Sequence, residues 1–208
     1  MKQAFWVFMA ALFAASCAPE LDGSTRLVGE GRVTDASGTP LANTTLSVQA
    51  IQQGLFTNLH TVQTDADGRF KVAFISPVDK SVGIYFEIES EDPQYLTTYV
   101  NGLRRGDFVN YYKNLETIRL YRDAELVRLQ VDYPAAAYQG AIENVYLTAN
   151  GALDRLDDGS LPTFFRVARN QQAVLHYTRL ATEPGQSNQE EEKVITIGDT
   201  DVVFTLTL

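Results

Sequence analysis

Residues 29–74 constrain the fold more than any other stretch, because strand periodicity and turn chemistry agree along it. A short β-type run, with Val28, Arg32, Val33 and Thr34, is interrupted by Asp35-Ala36-Ser37-Gly38. Asp and Ser bond their own backbone and Gly accepts positive φ, so this tetrapeptide predicts a turn. Pro40 has a fixed φ and no N–H, which places Thr39-Pro40-Leu41 in a loop or on a sheet edge. Leu46, Val48 and Ala50 then alternate with Ser47 and Gln49, the period of a half-buried strand over about residues 45–51. A further strand over about 56–63 leads to a second turn signal, Thr64-Asp65-Ala66-Asp67-Gly68. Alternation resumes from Arg69 to Phe74. The pattern is that of an antiparallel meander or Greek key.

The order GRVTDASGTPLANTTLSV followed by TDADGRFKV resembles the carboxypeptidase regulatory-like domain, a transthyretin-like β-sandwich. Gly31, Val33, Asp35, Gly38, Pro40, Leu41, Thr64, Asp65, Asp67, Gly68 and Phe70 stand in register with that family's motifs. The resemblance implies a sandwich fold and an accessory, non-catalytic role. Shared fold is not shared function.

The N-terminus points to an address. Lys2 precedes a wholly apolar run from Ala4 to Ala15, too short for the ~20 residues that span a bilayer and suited to a signal-peptide core. Ala14-Ala15-Ser16-Cys17 resembles the lipobox of bacterial lipoproteins, with Ala14 where that pattern usually has Leu. Cys17 is the sole cysteine, so no intramolecular disulfide can form, and lipidation accounts for a lone thiol at this place. Acyl chains contribute about 0.8 kcal/mol per buried CH₂ and tether a protein without a transmembrane helix. The expected organisation is a signal peptide over 1–16 and a polar tether over 17–26. A regulatory-like sandwich over 27–122 and a second, smaller sandwich over 123–208 follow. The expected location is the bacterial outer membrane or cell surface.

Removal of residues 1–16 takes Lys2 from the 17 basic residues, so the mature charge is 16 − 26 = −10. That sign repels nucleic acid and anionic headgroups, and no basic patch opposes it. Nucleic acid is excluded as a partner.

Beyond the organising stretch, strands are expected over 82–89, from about 95 to 100, and over 115–121. Asn101-Gly102 signals a hairpin. These bring the first half to about seven strands, the number of a sandwich. In the second half, residues 125–133, 143–149, 163–169, 173–180, 193–197 and 202–208 carry β patterns, and 150–158 hints at a short helix. Glu190-Glu191-Glu192 reads as a solvated loop tip. The fold class is all-β, two antiparallel sandwiches in tandem, the first transthyretin-like.

Chemistry-bearing residues are sparse. Asp65-x-Asp67-Gly68 resembles the opening of a calcium loop, but Lys71 intrudes and no Glu closes the set at EF-hand spacing, so a hairpin turn is the stronger reading. Asp154, Asp157 and Asp158 form a second acidic group of turn or helix-end character. His60 and His176 are the only histidines, too few with a lone cysteine for a structural zinc site. No G-x-S-x-G elbow nominates a nucleophile. The expectation is a non-enzyme with no metal or cofactor.

Residues 95–112 hold the candidate binding set: Tyr95, Tyr99, Arg104, Arg105, Phe108, Tyr111 and Tyr112. Aromatic rings beside hydrogen-bonding groups can anchor a protein partner or stack on sugars. They can equally pack into the sandwich, and spacing alone leaves the two open. The expected function is a lipid-anchored binding or scaffolding module for an envelope protein, with carbohydrate recognition as the alternative.

Overall fold

The structure is a computed structural model that describes residues 18–151, 161, 163–181 and 186–208. Cys17 and the trio Asp154, Asp157 and Asp158 lie outside the described residues, as does most of the helix hint at 150–158. The chain forms two compact units. One comprises the residues up to Pro93 with Thr97–Ile118, the other Gln94–Leu96 with Arg119–Leu208.

Among the described residues the first unit has seven strands: β1 (Leu21–Thr34), β2 (Thr45–Gln52), β3 (Leu55–Gln63), β4 (Arg69–Pro77), β5 (Gly83–Glu89), β6 (Thr98–Leu103) and β7 (Tyr112–Arg119). They make two sheets, β4-β1-β7 and β3-β2-β5-β6. Alternation decides which side chains are inside. Leu46, Val48 and Ala50 of β2, Phe70, Val72 and Phe74 of β4, and Ile84, Phe86 and Ile88 of β5 are all buried. Phe74 meets Phe86 edge-on across the sandwich, with ring centroids 6.0 Å apart.

Both Asp-led turns form by the same device. Asp35 Oδ1 accepts from the backbone N–H of Ser37 (2.9 Å) and Thr39 (2.8 Å). Asp65 Oδ1 accepts from Asp67 (3.0 Å) and Arg69 (2.8 Å). Gly38 and Gly68 then take φ of 91° and 72°. Asp65 Oδ1 is thus engaged by the turn, as the hairpin reading requires.

Two expectations for this half are corrected. The polar tether ends early: Leu21–Thr25 already belong to β1, where Leu21 pairs with Pro77 and Asp22 with Ser76 before an irregularity that ends at Arg26. The irregularity hides the strand from periodicity, because it breaks the alternation that a pattern search needs. Asn101-Gly102 is not a hairpin either. It lies within β6, where Gly102 has φ 75° and the register against β5 shifts between Ile84 and Phe86. The same positive-φ preference that makes Asn-Gly a turn also makes it a bulge.

The second unit contains β8 (Leu126–Asp132), β9 (Ile142–Thr148), β10 (Phe164–Ala168), β11 (Gln171–Arg179), β12 (Gln189–Ile197) and β13 (Val202–Thr205). Its sheets are β10-β8-β13 and β12-β11-β9. Leu129, Val131, Phe165 and Val167 from one sheet and Leu175, Tyr177, Ile195 and Ile197 from the other share one core. β13 departs from the antiparallel expectation, since it runs parallel to β8 with Val202 opposite Leu129. A parallel partner needs a long crossover, and the passage through the other sheet provides one. Asp201 Oδ1 accepts from the Arg128 N–H at 2.9 Å and sets β13 beside β8. The three glutamates also need correction: Glu190, Glu191 and Glu192 are strand residues of β12, paired with Thr178, Tyr177 and His176. β12 is an edge of its sheet, where charges deter pairing with another chain.

Among the described residues no helix is long and apolar enough to cross a membrane.

Candidate functional site

In the first unit, the connection from β6 to β7 carries most of the expected binding set. After β6 the chain makes a single 3-10 turn, Arg105–Asp107, where the Arg104 N–H donates to Asp107 Oδ2 at 2.7 Å. Arg105 is turned inward to structural work. Its Nη1 donates to the Pro77 carbonyl at 3.4 Å, and its Nη2 lies 3.6 Å from Asp22 Oδ2. The Asp22 carboxyl is held down to about 2, first by the Ser24 and Thr25 hydroxyls and the Ser24 N–H, with Arg105 adding attraction.

Phe108 is 6% exposed and packs edge-on against Phe74 at 5.8 Å. It is therefore a core residue and not a surface anchor. The next residues turn the chain at once. Val109 and Tyr112 bridge as an antiparallel pair, with the Tyr112 N–H on the Val109 carbonyl at 3.0 Å. The two residues between them, Asn110 and Tyr111, have φ of 51° and 66°. Positive φ at both central positions is the type I′ pattern, which favours Asn-Gly. Here a tyrosine occupies the second position. The Val28 N–H donates to the Tyr111 carbonyl at 2.8 Å and fixes the tip to β1. Val109 is 73% exposed and Tyr111 58%.

Tyr112 lies beyond the tip. Its hydroxyl donates to Glu30, which also pairs with Lys71 at 3.4 Å. This hydrogen bond raises the Tyr112 pKa and, with Lys71, lowers that of Glu30. This cluster lies on the outer face of β4-β1-β7, beside an open groove of about 470 Å³ lined by Arg32, Arg69, Asn114 and Glu116 among others. The groove mixes both charge signs, so it selects for neither.

The remaining tyrosines stand elsewhere. Tyr95 belongs to the second unit, where it bridges to Arg122, whose guanidinium lies 4.8 Å over its ring and donates to its hydroxyl at 3.2 Å. Tyr99 is on β6, on the outer face of β3-β2-β5-β6, with its hydroxyl on Glu87 Oε1 at 3.2 Å. Burial first, and Glu87 next, raise its pKa, so the phenol stays protonated as a donor. The expected set thus resolves into an exposed tip residue (Tyr111, beside Val109), a core anchor (Phe108), a backbone contact of Arg104 and side-chain contacts of Arg105, and three tyrosines (Tyr95, Tyr99 and Tyr112) on other surfaces.

Sequence reasoning passed over the ring pair of Phe56 and Tyr85, and it placed His176 on a sheet face without its partners. Phe56 and Tyr85 share the Tyr99 face, and the alternation of Ile84, Phe86 and Ile88, all buried, with Tyr85 and Glu87 was the signal that the latter two point outward. In the second unit, His176 Nδ1 lies 3.1 Å from Glu192 Oε1 and its Nε2 lies 3.1 Å from Thr148 Oγ1, with the ring stacked on Tyr146 at 4.5 Å. This row orients the imidazole on an open sheet face.

Residues 30–100 match the family model of the carboxypeptidase regulatory-like domain, a regulatory and not a catalytic class. No curated protein matches the chain. Among solved structures it is similar to the Bacillus anthracis TIE protein, at 11% identity and a TM-score of 0.33, covering 88% of this chain and 34% of that one. It is similar to the shaft pilin SpaA of Lactobacillus rhamnosus GG, at 9% identity and a TM-score of 0.34, covering 88% and 99%. A catechol 1,2-dioxygenase from Acinetobacter sp. ADP1 follows at 15% identity and a TM-score of 0.34, covering 49% and 55%. The chain spans 20% and 34% of the length of the first structures it matches, a 9R-lipoxygenase from Cyanothece and the TIE protein. Likenesses this distant carry no argument about activity.

Proposed function

We propose that this chain is a non-catalytic binding module, tethered through lipidated Cys17 to the bacterial outer membrane or cell surface, that docks an envelope protein through the tip at residues 109–111. The observation that carries this reading is Tyr111. A bulky aromatic at φ 66° is strained where Gly would not be, and it is more than half exposed. Strain of about 1–3 kcal/mol is retained where function needs the geometry. Exposed aromatics on a rigid turn are the usual anchors of protein interfaces. Phe108 and the Val28 contact supply the rigidity, so little ordering would be lost on docking.

Carbohydrate on residues 95–112 is the weaker alternative. Within the first unit its rings do not form one platform: Phe108 is buried, and Tyr99 and Tyr112 lie on different sheets.

The test is to place a photo-cross-linking amino acid at Tyr111 in living cells, with Lys80 as an exposed control position. One discrete adduct from Tyr111 and none from Lys80 supports the reading. No adduct, or the same adducts from both positions, removes it.

A further inference from the structure

The outer face of β3-β2-β5-β6 combines an aromatic corner with a fixed polar row. Gly83 lets Tyr85 lie down on the sheet: a side chain at Gly83 would come within 2.9 Å of the Tyr85 ring and 2.8 Å of Ile51. The ring therefore lies over the backbone of Gly83 and is itself half-buried. Phe56, 61% exposed, stands against it at 71° with centroids 6.0 Å apart. Tyr85 is a floor and Phe56 a wall. Beside them, Gln49 Nε2 donates to Glu87 Oε2 at 2.7 Å and the Tyr99 hydroxyl donates to Glu87 Oε1. Glu87 is thereby held in one orientation, and each of its oxygens keeps a lone pair for an incoming hydroxyl. Tyr99 pairs directly with Glu87 and is itself 51% exposed.

Charge narrows the occupant. The four strands contain no Lys or Arg, and apart from His60 their only ionisable acids or bases other than tyrosine are Glu87 and Glu89. An anionic ligand on these strands meets two carboxylates and no Lys or Arg borne by the strands themselves. The rest of the face is hydroxyl and amide, with Ser47 Oγ and Thr61 Oγ1 3.4 Å apart across β2 and β3. Aromatic rings interleaved with hydroxyls, amides and an oriented carboxylate complement a ligand with apolar C–H faces and many hydroxyls.

We infer that this face binds a neutral carbohydrate, one pyranose ring seated in the corner of Tyr85 and Phe56 with its hydroxyls reaching Glu87 and Gln49. The site is independent of the hairpin tip and would act alongside it.

The full chain is tested by native affinity electrophoresis in gels containing hydroxyethylcellulose, mannan or xylan, with anionic polygalacturonate and cationic polylysine as comparisons. Retardation by at least one of the three neutral polymers is expected. Phe56→Ala, an exposed position whose loss leaves the core intact, should weaken it by about tenfold or more, the loss of one stacked ring. Glu87→Gln, which keeps the shape, should also weaken it, whereas Tyr111→Gly should not. The inference is overturned if no neutral polymer retards the protein, or if only polygalacturonate or polylysine does. Equal retardation of wild type and Phe56→Ala, or loss in Tyr111→Gly, would overturn it too.

Discussion

Phe108 meets Phe74 edge-on, ring centroids 5.8 Å apart and planes at 81°, and this contact fixes the base of the exposed tip at residues 109–111. One ring inside and one ring outside, three residues apart, therefore have opposite energetic roles. Phe108→Ala should cost about 3 kcal/mol through the cavity it opens. Tyr111→Gly should instead raise stability by roughly 0.5–1 kcal/mol, the relief of about 1–2 kcal/mol of left-handed strain less the added chain entropy. Urea unfolding of the two variants checks both signs. A destabilised Tyr111→Gly would show that the tyrosine ring packs in a way that its exposure denies.

The two Asp-led turns share their hydrogen bonds but not their surroundings. A Cβ at Gly68 would overlap the Val33 carbonyl and approach the Leu41 N at 3.2 Å, whereas one at Gly38 meets nothing within 4 Å. Both residues have positive φ, so Gly38→Ala should cost about 1 kcal/mol and Gly68→Ala more than twice that. Equal losses by thermal unfolding would mean that φ alone, and not the close approach to β1, sets the cost.

Alkaline stability should depend on the second unit. Burial, and then the hydrogen bond to Glu191 (2.7 Å), push the Tyr177 phenol from 10.0 up to about 12. Its contribution is thus fully present below pH 10 and is lost as the pH rises toward 12. Tyr133 is shifted in the same direction by its own burial. Tyr177→Phe should cost about 1 kcal/mol at neutral pH and make the decline in stability above pH 10 shallower. An unchanged alkaline profile, followed by phenolate absorbance and urea unfolding, would remove Tyr177 from the account.

The proposed lipid anchor makes a separate prediction. Cys17→Ala should abolish incorporation of labelled palmitate and move the protein from the membrane to the soluble fraction. Membrane retention by the variant, with no label in wild type, would leave the tether unsupported.

Much of the fold was legible because its signals are local. An Asp carboxylate captures the amides two and four residues on, and Gly accepts the positive φ that completes the turn, whatever lies across the sheet. The alternation in β2, β4, β5 and β11 needs only one buried face to be read correctly. Where a second effect interrupts that period, reading failed. The irregularity after Asp22 disguised the start of β1, and the bulge at Gly102 looked like a hairpin. The acidic residues at 190–192 looked like a loop because charge on an edge strand imitates charge in solvent.

The candidate sites divide along the same line. By itself the sequence determined that residues 95–112 are rich in rings and arginines, that tyrosine follows Asn110, and that the sheet strands from Thr45 to Leu103 lack Lys and Arg outside β4. Only the tertiary structure decided that Phe108 is core and Tyr111 surface, that Arg105 serves Asp22 and Pro77, and that Phe56, Tyr85 and Tyr99 share one face. Those assignments rest on strand register and sheet order, which bring together residues far apart in the chain. Local propensity cannot encode them, because the same ring is an anchor or a core residue according to what packs over it.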